Sequence, residues 1–331
     1  MRFRCVSSTT LTLLAVPSLL AFSATASLAQ SDWPNRAITL LVGYPAGSAA
    51  DIVARTLATS VAQKLGQPFV VENRPGADAM IAGRAVARAE PNGYTVGFGS
   101  PTSWALTLNL QPQQMGFDPR KDYAPVSLIG ETPYVLIVNS DLGVNSIADL
   151  VALAHRSKPG ALNFSSTGEG SVAHLGTLMI AKKLGIEMTH VPYKSTAQSI
   201  VDVASGVIQL QLATISPTLP LYESGKVRIL GIASDRRSPL LPAMPTLAEQ
   251  GVAAQVGFSM GLIVPTGTPE PIVARLNKAV SETLDDEGVK SSYSKQGVQL
   301  RTLSPQDFGR YVEAEIENYR SILSEFSIAP R

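Results

Sequence analysis

Two stretches of the chain hold the groups best suited to gripping a ligand. The first is Tyr44-Pro45-Ala46-Gly47-Ser48, with Asp51 three residues on; the second is Ser165-Ser166-Thr167-Gly168-Glu169-Gly170-Ser171, with His174 three residues on. Each offers hydroxyl donors and glycines, and each runs into a segment of helical periodicity whose first N–H groups have no partner inside the helix. Such a set suits an anion. A carboxylate fits best, because it needs a few N–H and O–H donors and neither a metal nor a lysine. A nucleotide fits poorly: no Lys-Ser/Thr follows Gly47, and Gly43 and Gly47 lack the G-x-G-x-x-G spacing. Asp51 reads as a cap or loop brace in the first helical turn, and less readily as a direct partner of the ligand. His174 is open to two readings, a ligand donor or a satisfied structural histidine.

The elements that position these stretches follow from periodicity. Residues 38–42 form a short apolar run, and Ile52, Val53, Leu57 and Val61 recur at helical spacing, which predicts strand, loop and helix. A strand at 69–71, a helix at 81–89 and a strand at 94–98 follow, the last ending in Gly99-Ser100-Pro101-Thr102-Ser103. Ser100 and Thr102 thereby join the candidate site. Alternating strands and helices predict a parallel sheet with ligand outside the strands' carboxyl ends, so the loops should face one crevice. Residues 124–129 and 134–138 are apolar runs split by Gly130-Glu131-Thr132-Pro133 and read as a first crossing between two lobes; residues 258–264 read as the second. Between the crossings lie a helix capped by Ser146, strands at 162–164, 189–192, 207–212 and 228–233, and helices that carry Leu175 and span 195–206. Beyond the second crossing Thr268 is expected to cap one helix. Ser304 and Pro305 start another, striped by Phe308, Tyr311, Val312, Ile316, Tyr319, Leu323 and Phe326.

The first 29 residues have basic Arg2 and Arg4, an apolar core of roughly a dozen residues, and small residues before Ala26 and Ala29, which reads as a cleaved secretory leader. Cleavage after Ala29 is preferred to cleavage after Ala26. Cys5, the single cysteine among 331 residues, lies in that leader, so neither a disulfide nor a cysteine-ligated metal is expected, and no cofactor is called for. Removal of the leader leaves 25 basic residues against 26 acidic ones. Nucleic acid is not the expected partner.

The motifs together resemble the periplasmic solute-binding proteins of tripartite tricarboxylate transporters, the Bug family. The resemblance is carried by Tyr44-Pro45-Ala46-Gly47 with Asp51-Ile52-Val53-Ala54-Arg55, Val71-Glu72-Asn73-Arg74-Pro75-Gly76-Ala77, Asn92-Gly93-Tyr94-Thr95, Tyr123-Ala124-Pro125-Val126-Ser127, Asn163-Phe164-Ser165-Ser166 with Gly168, Gly170 and His174, His190-Val191-Pro192-Tyr193-Lys194, Met244-Pro245-Thr246 and Pro265-Thr266-Gly267-Thr268-Pro269. It implies an α/β, two-lobed periplasmic-binding-protein fold of type II, with two Rossmann-like lobes, two crossover strands and a cleft that closes on a small organic carboxylate. Lobe one would comprise residues 32–130 and 258–331, and lobe two residues 131–257. The implied protein is a monomer that delivers its ligand to transporter membrane subunits. A sensor kinase as partner and, more remotely, a secreted serine hydrolase are the alternatives.

Two departures bear on the ligand. Ala46-Gly47-Ser48 stands where the family often has Pro-Gly-Gly, and Ala213 aligns where many members carry a cleft-facing aspartate, which argues against an amino-acid ligand. Tyr44 and Trp104 are candidates to stack on an aromatic acid, and Lys194 is a candidate cation for a second carboxylate.

Overall fold

The computed structural model describes residues 33–77, 79–193 and 195–330. The expected leader and Lys194 lie outside the described residues. The chain opens with β1 (Ile38–Val42), α1 (Ala49–Leu65), β2 (Phe69–Asn73), α2 (Met80–Ala87), β3 (Thr95–Gly99), α3 (Pro101–Leu110), α4 (Pro112–Met115) and the long β4 (Tyr123–Asn139). It continues with α5 (Ile147–Arg156), β5 (Leu162–Ser166), α6 (Val172–Leu184), β6 (Met188–Pro192), α7 (Thr196–Ala204), β7 (Leu210–Thr214), α8 (Ile215–Glu223) and β8 (Val227–Ile232). Last come β9 (Gly257–Pro265), α9 (Glu270–Leu284), α10 (Glu287–Lys295), β10 (Gln299–Leu300) and α11 (Pro305–Glu325).

β1 pairs in parallel with β2 and β3, and β3 pairs antiparallel with β9. β9 in turn pairs antiparallel with β4 from Tyr123 to Pro133. At Tyr134 the partnership changes: β4 continues between β7 and β8, and β7 leads in parallel to β5 and β6. Two half-sheets thus share β4, and the expected two-lobed α/β architecture is present. Where the sequence suggests two runs there is one 17-residue strand. The residues that look like a break, 130–133, pair one for one with Met260 to Gly257 of β9, and the register shifts fall before them, between Pro125 and Ser127 and between Leu128 and Gly130.

Each half-sheet is covered on both faces. Val53, Leu57 and Val61 of α1 pack with α9 against one face of the first, whereas Ile52, from the same apolar pattern, is 38% exposed. α3 and α11 cover the other face, through Trp104, Phe308 and Ile316. In the second half α5 and α6 cover one face and α7 and α8 the other. Serine opens α1, α3, α5, α6, α7 and α11, each hydroxyl accepting the N–H three residues on. Such a cap contributes about 1 kcal/mol. Thr268 departs from expectation: its hydroxyl donates to Pro265 O, and Pro269 precedes α9. α3 and α8 are not expected from the sequence, where prolines at 101, 217 and 220 suggest loop.

At Gly261 of β9 the ring of Phe308 lies so close that an added Cβ would sit 2.3 Å from its Cζ. Phe308 is fully buried, so the ring cannot retreat. Gly261→Ala is therefore expected to cost about 2 kcal/mol or more, measured by urea unfolding.

Candidate functional site

The two stretches singled out from the sequence fold into the same local structure. In the first, Gly47 has φ +81° and its N–H donates to Asp51 Oδ2 at 2.9 Å, while Ser48 Oγ accepts the Asp51 N–H at 3.3 Å. In the second, Gly170 has φ +78° and its N–H donates to His174 Nδ1 at 3.0 Å, while Ser171 Oγ accepts the His174 N–H at 3.3 Å. Ser48 N–H and Ser171 N–H both return to the carbonyl three residues back. The positive φ is a backbone state that glycine occupies without a Cβ penalty. Asp51 and His174 are therefore braces, 1% and 6% exposed. What each loop still offers is the pair of first-turn N–H groups, at Ala49 and Ala50 and at Val172 and Ala173, together with the serine O–H hydrogens.

The braces differ in charge. Burial pushes the Asp51 carboxyl up, yet hydrogen bonds from Arg55, Asn73 and Gly47 outweigh it and hold the group below its usual value. The ring of His174 is neutral at the acceptor nitrogen and stacks on Phe164 and against His190. Ser166 Oγ lies 2.7 Å from His190 Nε2 and accepts the Gly168 N–H at 3.1 Å. Burial keeps His190 below its usual value, against the opposing pull of Glu169. Ser166 has no exposed surface, so it holds its loop and does not face the cleft. Its neighbour Ser165 is equally buried, beside Gln211 in the sheet register.

A cavity of about 290 Å³ lies at the carboxyl end of the second half-sheet. Ala173 brings to it the start of α6, Thr196 and Ala197 the start of α7, and Thr214 and Pro217 the start of α8; Thr167, Tyr134, Leu212 and Ala213 complete the wall. Each helix start contributes about half a positive charge, and Tyr134 is the one ionisable group among these lining residues. A second hollow of about 420 Å³ shares Thr167 and sets Gly170 and Ser171 opposite Leu106, Leu110 and Ala77 of the first half. The structure thus brings Thr167, Gly170 and Ser171 to these hollows, whereas Tyr44, Ala46, Gly47 and Ser48 line neither.

The third loop has a different place from the one expected. Ser100 caps α3 with no exposed surface, and Thr102, 1% exposed, is bonded to Ser259 and Glu315 behind the crossing of β4 and β9. Trp104 is 2% exposed and packs near Tyr123, so it is core, and the Tyr44 ring meets Phe258 edge-on. Sequence reasoning missed the starts of α7 and α8 as parts of the site. Ser195 before a helical run was a usable signal for α7. Pro217 within the first turn was the corresponding sign for α8, masked by Pro220.

Asp51→Ala removes the acceptor for Gly47, Arg55 and Asn73 at once and should cost about 2 kcal/mol near neutral pH. Because the folded carboxyl titrates below its unfolded value of 3.8, the contribution is present above that value and lost as pH falls through the folded one. Wild type and variant should therefore converge in acid when unfolding is followed against pH.

Comparison with known proteins gives a consistent answer. The family described as "Tripartite tricarboxylate transporter family receptor" matches residues 53–328. Protein BugT of Bordetella pertussis is 32% identical over 319 residues, covering 95% of this chain and 97% of that protein. Among solved structures, a protein of R. palustris with adipate superposes with TM-score 0.76 at 35% identity, covering 91% of this chain and 100% of that one. MatC from Rhodopseudomonas palustris with bound malate gives 0.69 at 31% identity, covering 88% and 100%. The periplasmic binding protein BugD gives 0.71 at 27%, covering 90% and 100%. With the fold, the paired loops and these matches in agreement, the chain belongs to the tripartite tricarboxylate transporter receptor family of periplasmic solute-binding proteins.

Proposed function

We propose that this protein captures a small organic carboxylate at the second-half cavity, closes the first loop over it, and delivers it to the membrane subunits of a transporter. Residues 1–29 act as a cleaved leader that sends the protein to the periplasm. Lobe one consists of residues 32–130 and 258–331, and lobe two of residues 131–257. The observation that carries the reading is the convergence of three helix starts on one cavity whose described walls hold no carboxylate. About one and a half positive charges of helix dipole face that space, enough to compensate one ligand carboxylate. Hydrogen bonds to a charged group contribute on the order of 1.5–3 kcal/mol each, and micromolar affinity corresponds to about 8 kcal/mol. Four or five donors suffice, even after the cost of immobilising the ligand. The adipate and malate of the two relatives support the same class of ligand.

Catalysis has little support in the geometry. Ser166 and His190 have the spacing of a nucleophile and its base, but Ser166 is fully buried and already engaged by Gly168. Among the described residues no carboxylate is hydrogen-bonded to the His190 ring to orient it.

A thermal-shift screen of the mature, ligand-stripped protein against mono-, di- and tricarboxylates, aromatic acids and neutral sugars tests the proposal, since a ligand of the folded state raises the midpoint. A shift confined to carboxylates is expected; a shift with sugars alone, or with nothing, removes the reading. For the strongest acid found, Thr196→Pro deletes one donor N–H and one hydroxyl at the first position of α7, where proline is tolerated. Calorimetric titration should show affinity reduced at least about tenfold, with the unliganded melting temperature nearly unchanged.

A further inference from the structure

Behind the ligand cleft, where β4 and β9 cross, lies a separate cavity of about 80 Å³. Glu131, Ser259, Arg301, Tyr311 and Glu315 line it from one side, and Ser234, Asp235 and Gln255 from the other. It is bounded by both halves of the molecule, so any rotation of one half against the other must change its shape. Glu131 and Ser259 are partners in the β4–β9 register, the rung on which the crossing rests. Thr102 ties Glu315 to that rung: its hydroxyl donates to Glu315 Oε2 at 3.3 Å and lies 2.8 Å from Ser259 Oγ. Arg301 is spent elsewhere, 3.0 Å from Glu131 and over the Tyr311 ring. Among the described residues no cation pairs with Glu315.

We propose that Glu315 is a proton-operated positioning residue of the hinge: neutral, it holds the compact crossing seen here, and ionised, it opens the cavity to water and shifts the lobes. A space this small admits only a handful of waters, far fewer than an ionised carboxylate recruits at a surface, and Glu131 and Asp235 add like charge around it. The other groups facing Glu315 are Tyr311 and Tyr319 on its own helix and Arg301 after β10, with Tyr134 of β4 beside Tyr319. Burial pushes the Glu315 carboxyl up to about 7, with the charge of Glu131 adding to the rise and Thr102 and Arg301 opposing it. Since the folded value lies above the ordinary one, the stability this group lends is complete in acid and lost as pH rises through about 7. That window is one a protein outside the cytoplasm can meet.

The inference rests on the division into lobes and not on the ligand, so a failed carboxylate screen leaves it standing. The mature chain has no cysteine, which permits clean spin labelling at Val70→Cys and Val207→Cys, both exposed and on opposite halves. Inter-label distances are read by pulsed electron resonance without ligand, between about pH 5.5 and about pH 8.5. The expected result is a displaced distance distribution with its midpoint near 7, and a Glu315→Gln protein that keeps the acid distribution throughout. A distribution that ignores pH, or one that shifts equally in Glu315→Gln, overturns the proposal. Glu131→Gln supplies an independent reading: with the like charge gone the midpoint should move to lower pH, and an unmoved midpoint removes the proton from this cluster.

Discussion

The antiparallel ladder between β4 and β9 is the constraint on which everything else hangs. These strands are the covalent passages between the halves, and from Tyr123 to Pro133 they are also hydrogen-bonded to each other. A pair of strands bonded along its length can twist and bend but cannot easily slide, because sliding by one residue would turn every side chain to the other face. A ladder of this kind would leave the two halves rotation about one short region as their freedom of relative movement. The glycines there, Gly130 and Gly257, are hemmed in by neighbouring backbone, so the hinge is dense and owes little to empty space.

On that frame the two glycine-serine loops are near copies in backbone and opposites in charge. The same glycine, the same capping serine and the same brace three residues beyond it recur at residues 47, 48 and 51 and at residues 170, 171 and 174. One brace is an ionised aspartate tied to Arg55, the other a neutral histidine. A carboxylate at the first helix start offsets part of the positive field that helix would otherwise present. The second loop carries no such offset from its brace and is joined by the starts of α7 and α8, so the stronger attraction for an anion lies in the second half. The first loop is the weaker anion seat of the two.

Much of this was legible in the sequence because it is local. A serine just before a helical run specifies a capped helix start within a few residues, which is why Ser146 and Ser304 open helices as expected, whereas Ser48 and Ser171, expected as ligand donors, prove to be caps too. The division of labour inside each loop was less visible. Asp51 could be read as a brace, but the roles of His174 and Ser166 depend on Gly170, Gly168 and His190, and the distance from Ser166 to His190 is set by strand register. Thr102 shows the limit most plainly: its loop resembles the other two, yet the approach of β9 and α11, more than 150 residues later in the chain, turns its hydroxyl toward the hinge. The cavity itself gathers residues from three separate helix starts, a coincidence that no single stretch records.

The contact between Gly261 and Phe308 also sets an order of events in synthesis. The first half-sheet is interrupted: β3 has no partner on one edge until β9 arrives, and Gly261 of β9 stays uncovered until α11 brings Phe308 down on it. Chains emerge from the N-terminus, and contacts distant in sequence form late. The continuous second half can therefore complete its core while the first half still waits for the last thirty or so residues. Until β9 comes, β3 presents an open strand edge of the kind that recruits other chains. Truncation before β9 would thus be felt first as aggregation of the N-terminal half, far from the missing residues.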